Sequence, residues 1–133
     1  MRILSGSIVA AGALAIMTAC GGSSSPTAPS GSSGSPGTSG ATITIGTNGA
    51  VSPSQVTIGV GQSVTFVNND SRVHDMASNP HPVHTDCPSM NAAGNLSPGQ
   101  TKLTNAFTAA RTCGFHDHGN PTDAALQGNV IIQ

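Results

Sequence analysis

The chain has 133 residues, a formal net charge of −1 and only 7% charged residues, with neither Trp nor Tyr. Such a thin and balanced charge excludes nucleic-acid binding, which needs a basic patch, and the missing aromatics exclude stacking platforms for bases. A core built from Val, Ile, Leu, Ala and three Phe is small, and a disulfide or a metal would help to hold it.

Residues 1–20 read as a bacterial export signal: Arg2 is the one early charge, and Ile3 to Met17 is apolar but too short to span a membrane. The segment closes in Met17-Thr-Ala-Cys20 before Gly21, which resembles a lipobox, so Cys20 is expected to carry lipid. Residues 21–40 are almost all Gly, Ser, Pro, Thr and Ala and are expected to form a flexible tether. The folded domain is then 41–133, a monomer held at the cell envelope, periplasmic or at the surface, and touching the membrane only through the lipid.

Within the domain, Ala41–Gly46 alternates apolar and polar residues and predicts a first strand, followed by the turn signal Thr47-Asn-Gly49. Ser54–Ile58 and Ser63–Asn68 predict two more, the latter with Val64 and Phe66 on one face. From about Asn69 to Gly99 the chain reads as a long irregular loop, because Pro80, Pro82, Pro88 and Pro98 oppose regular structure. A loop this long is uncommon in a compact domain unless it is functional. Strand signals resume at Thr101–Phe107, Arg111–His116 and Gly128–Gln133. No helical period of useful length occurs, so the fold class is all-β, a Greek-key sandwich with a long irregular loop between strands.

All five histidines lie between positions 74 and 118, and that clustering points to a bound metal. With Cys20 lipidated, Cys87 and Cys113 remain, and an even pair in an oxidising compartment is expected to form a disulfide. Enzymatic chemistry is not expected: there is no Gly-x-Ser-x-Gly elbow, no paired acid–base carboxylates and no phosphate loop.

Val56-Thr-Ile-Gly-Val-Gly-Gln-Ser-Val-Thr-Phe-Val-Asn-Asn-Asp70, then His74, resembles the first half of a cupredoxin, the plastocyanin-like copper fold. Leu96-Ser-Pro-Gly-Gln100 and Phe107-Thr108 resemble that family's later turn and strand. The resemblance implies that His74 is the first copper ligand. Two alignments of the tail are open. In one, Cys113-Gly-Phe-His116 is a copper Cys-x-x-His pair; in the other, without a gap, Asp117 occupies the copper-thiolate position and Leu126 that of the axial Met. The ungapped register also resembles the His-x-His strand of multicopper oxidase cupredoxin domains, through Arg111-Thr-Cys-Gly-Phe-His-Asp-His118 and Ala125-Leu-Gln-Gly128. It implies His116 and His118, with His74, as ligands and no thiolate; Cys113 is the candidate of the gapped alignment, His81, His84 and Asp86 in the Pro-rich loop could supply a fourth ligand or line the site, and Asp117 is a further secondary candidate. Copper is the expected ion and zinc the second choice, since imidazoles suit both. The expected role is electron transfer, or copper handling if the site lacks a thiolate, with an unidentified redox or copper-handling partner. The alternative is a metal-free sandwich used for adhesion or display.

Overall fold

The computed structural model describes residues 37–133; the export signal, Cys20 and the tether up to residue 36 lie outside the described residues. Nine strands form among the described residues: β1 (Thr38–Ile45), β2 (Val51–Ser52), β3 (Gln55–Ile58), β4 (Gln62–Asn68), β5 (His74–Ser78), β6 (Gly94–Leu96), β7 (Thr101–Leu103), β8 (Arg111–Asp117) and β9 (Gly128–Ile132). They make a four-stranded sheet in the order β2-β1-β4-β7 and a five-stranded sheet in the order β3-β9-β8-β5-β6. β1 runs parallel to β4 and β3 parallel to β9; the other pairs are antiparallel.

The alternation read from the sequence decides which side chains face the core. In β1, Ile43 and Ile45 are fully buried; in β4, Val64 and Phe66; in β9, Val130 and Ile132. The two inner faces meet where the Phe66 ring packs edge-on against Phe115, with centroids 5.3 Å apart. Edge-to-face pairs of this kind add about 0.5–1.5 kcal/mol beyond the area they bury. The β1–β2 turn closes at Gly49, whose φ of 70° is left-handed, a conformation open to glycine without a Cβ penalty.

Three differences from the sequence reading matter. β1 begins at Thr38, inside the stretch read as tether, because Thr38 and Ser39 pair with Gln62 and Ser63 although their side chains are exposed. The region 69–99 is not loop throughout. It contains β5, β6 and a 3₁₀ turn at Pro88–Ala92. β5 went unread because His74 and Ser78 point inward along with Met76, so the apolar alternation is broken by buried polar residues. Finally, the run 101–107 is a strand only over Thr101–Leu103, although Phe107 still reaches the core.

Candidate metal centre

Side-chain direction along β8 sets up everything that follows. Cys113, Phe115 and Asp117 are buried on the inner face, and the residues between them necessarily face outward. β5 lies antiparallel beside it with Met76 opposite Asp117, Ala77 opposite His116 and Ser78 opposite Phe115. His116 therefore stands on the outer face of the sheet next to the small Ala77. His118, just past the strand, keeps the same direction because its backbone N–H donates to the Asp75 carbonyl at 2.7 Å. The irregular segment after β5 folds over this face and buries His116.

That segment delivers two more imidazoles. His81, His84, His116 and His118 each offer one ring nitrogen, and these four atoms all lie within 4.8 Å of one another. The His84 ring is 5.1 Å from His116 and 4.8 Å from His118, centroid to centroid, and His81 is 4.9 Å from His118. His84 has a left-handed φ of 53°. For a residue with a Cβ that conformation costs on the order of 1–3 kcal/mol and persists only where the surroundings over-determine it. Here they do: the His84 carbonyl accepts from Ser78 Oγ and from Asn91 Nδ2, both at 2.9 Å, and its N–H donates to the Pro80 carbonyl at 2.8 Å.

The protonation of His116 and His84 suits a cation. Burial lowers the pKa of His116, and the neighbouring His84, His81 and His118 lower it further, against a smaller opposing pull from Asp117. Burial likewise lowers His84, helped by His118 and His81 and opposed by Asp75. His116 Nδ1 lies 2.8 Å from Asn79 Oδ1, an oxygen that only accepts, so Nδ1 carries the proton and Nε2 presents its lone pair. Among the described residues His116 Nε2 is the buried side-chain nitrogen with no hydrogen-bond partner. An orphaned buried polar atom costs about 1–3 kcal/mol. A metal ion held by these four rings would offset that cost. Four imidazole nitrogens with no carboxylate or thiolate among them form a borderline-soft set.

His74, expected as the first ligand, is not part of this group. It points inward from β5, and both ring nitrogens are taken: Nδ1 lies 2.9 Å from Asp117 Oδ2 and Nε2 3.0 Å from Asp70 Oδ2. The hydrogen bond from His74, with those from Ser71 and Arg72, brings the Asp70 carboxyl down to about 2. For Asp117 burial works upward, but His74, the backbone N–H groups of Asp75 and Gly119, and Asn120 together hold its pKa below the ordinary value. Both ring nitrogens of His74 are committed to carboxylate oxygens of the inner network, so neither faces the four outer rings. Asp117, a secondary candidate, is committed to the same inner network. Cys113 is likewise no thiolate: it is bonded to Cys87, with the Cα atoms 5.8 Å apart. Asp86 lies beside that disulfide, lining a cavity of about 110 Å³ with Phe107 and Arg111. His116 and His118 are thus joined by His81 and His84, and Asn79 is the residue at this site that the sequence reading did not single out.

No family model matches the chain, and no curated protein sequence does. Solved structures do. The chain is similar to a purple cupredoxin from Nitrosopumilus maritimus (TM-score 0.55, 21% identity, 70% of this chain and 99% of that one). It is also similar to dithionite-reduced auracyanin from Roseiflexus castenholzii (TM-score 0.53, 20% identity, 73% and 99%), and to amicyanin from Paracoccus versutus (TM-score 0.54, 21% identity, 71% and 81%). The two sheets, their Phe66–Phe115 core and these likenesses agree: the described domain has the plastocyanin-like cupredoxin fold.

Proposed function

We propose that this domain binds one copper ion on the outer face of its five-stranded sheet, through His81, His84, His116 and His118, and serves copper handling rather than electron transfer. The observation that carries the reading is the convergence of four ring nitrogens within 4.8 Å, one of them buried and unpartnered. Imidazole suits copper, and the similar structures are cupredoxins, although fold alone does not assign function. The two cysteines of the domain are bonded to each other, so the site lacks a thiolate, and this favours handling over blue-copper electron transfer. His81 and His118 are exposed while His116 is buried, so the ion would sit at the surface, where a partner can reach it.

When bound, copper would supply a Lewis-acidic centre with two accessible oxidation states. The protein's own contribution is to orient four imidazoles, keep one of them dry and hold the His84 turn in place. With Cys20 lipidated and a tether behind it, the domain would present this site at the cell envelope to a redox or copper-handling protein. Zinc is the second reading, favoured by a closed set of four ligands, the number that structural zinc sites use.

The test is a titration of the full chain with Cu(II) and with Zn(II), repeated on alanine variants of each histidine. One equivalent of copper taken up by the wild type, and weakened by His81→Ala, His84→Ala, His116→Ala and His118→Ala, supports the reading. Stoichiometric zinc with weak copper moves it to the second reading, and no uptake of either metal leaves a metal-free display module.

A further inference from the structure

We propose that Asn79 is the positioning residue of this metal centre: its side-chain oxygen holds His116 in the tautomer that leaves Nε2 open, and Gly114 is a glycine because it makes room for that amide. The inference rests on the reading of the four imidazoles as metal ligands.

The geometry begins with the backbone. Asn79 follows directly on β5, and its N–H donates to the Gly114 carbonyl at 3.0 Å, which carries the β5–β8 ladder one residue beyond the Ser78–Phe115 pair. Its own carbonyl accepts from the Asp86 N–H at 2.9 Å. The main chain of Asn79 is therefore fixed on both sides without help from its side chain. That side chain lies flat along β8. Its Nδ2 occupies the place where a Cβ on residue 114 would stand, and its Oδ1 meets His116 Nδ1 at 2.8 Å. Any side chain at 114 would lift the amide off the strand and away from the imidazole. Gly114 has no left-handed φ to explain it; the space it leaves is its contribution.

The chemistry follows from the donor inventory. A neutral imidazole has one N–H and one lone pair, and an amide oxygen accepts only, so Asn79 settles which nitrogen keeps the proton. Partners of this kind are known to matter for metal ligands: their loss typically costs 10–100-fold in metal affinity. Because the partner is an amide rather than a carboxylate, it orients the ring without adding charge. A carboxylate in its place would make the ring more basic and favour the more highly charged ion.

Four variants of the full chain test this: Asn79→Ala, Asn79→Asp, Gly114→Ala and the double variant Asn79→Ala/Gly114→Ala. The first readout needs no metal. Long-range ¹H–¹⁵N spectra of the imidazoles should show His116 as the Nδ1–H tautomer in the wild type and a mixture, or the Nε2–H form, in Asn79→Ala and Gly114→Ala. The second is Cu(II) affinity by competition with a chelator. Asn79→Ala and Gly114→Ala should each lose about 10–100-fold, the double variant should lose no more than either alone, and Asn79→Asp should restore binding. An unchanged His116 tautomer in Asn79→Ala, or additive losses in the double variant, would overturn the role of Asn79 and Gly114. A wild-type protein that takes up no copper would overturn the metal reading instead, and the tautomer spectra would still judge the hydrogen bond.

Discussion

Removing the Cys87–Cys113 disulfide should loosen both the domain and the site at once. The bond spans 26 positions of sequence, and by the chain-entropy relation a loop of that size constrains the unfolded state by about 3.5 kcal/mol. Its placement adds a second effect. Cys87 follows His84 by three positions and Cys113 precedes His116 by three, so the bond ties the loop that carries two imidazoles to the strand that carries the others. Both cysteines are buried, and Cys87→Ala/Cys113→Ala removes the tie with little change in volume. For a domain of this size about 3.5 kcal/mol corresponds to a fall in Tm of roughly 14–28 °C. Differential scanning calorimetry of the metal-free protein, with and without the substitutions, measures it. Copper affinity of the variant, read at a temperature where it is still folded, should fall as well. A Tm within a few degrees of the wild type, together with unchanged copper affinity, would refute the reasoning that this bond holds the loop in place.

His74→Ala should destabilise the fold while leaving copper stoichiometry unchanged, because it removes one hydrogen-bond partner from each of the buried Asp70 and Asp117 carboxylates without touching the four outer rings; parallel melting and copper titration separate the two effects. The metal-free domain should lose stability to acid in two stages, followed by urea unfolding between pH 8 and 2. His84 and His116 have pKa values lowered below 6.5, so their contribution is complete above pH 6.5 and is lost as pH falls through their folded values. Asp70, lowered from 3.8 to about 2, contributes fully above pH 3.8 and loses that contribution progressively as pH falls from 3.8 through about 2, so a second decline should come in that window. Gly128→Ala should destabilise by about 1–3 kcal/mol, as overpacking does, since the Ser54 carbonyl oxygen and the Phe115 ring stand where its Cβ would go; chemical denaturation reads this directly.

Much of this architecture is legible in the chain where side-chain chemistry and strand period agree. Ile43 and Ile45, Val64 and Phe66, and Val130 and Ile132 announce their strands because apolar residues recur two positions apart. β5 is hidden for the opposite reason: its inward residues include His74 and Ser78, whose burial is made tolerable by partners distant in sequence, such as Asp117. The same distance obscured the site. The crowding of histidines into one third of the chain does signal a centre, but which rings meet depends on the pairing of Ala77 with His116 and on the path of the loop, neither of which a local pattern contains. One signal was present. Phe115 must face the core, and the period of two then places His116 and His118 on the outer face and Asp117 on the inner one. That parity separates them from His74 once β5 is known to lie alongside. Asn79 carries no such mark, since its role depends on lying across Gly114.

Copper-edge X-ray absorption on the full chain loaded with one equivalent of Cu(II) tests the central claim most directly. The account predicts a first shell of imidazole nitrogens from four rings, with no sulfur, and loss of one imidazole contribution in His84→Ala but none in His74→Ala. A sulfur scatterer in the first shell, or an imidazole lost with His74→Ala, would contradict it.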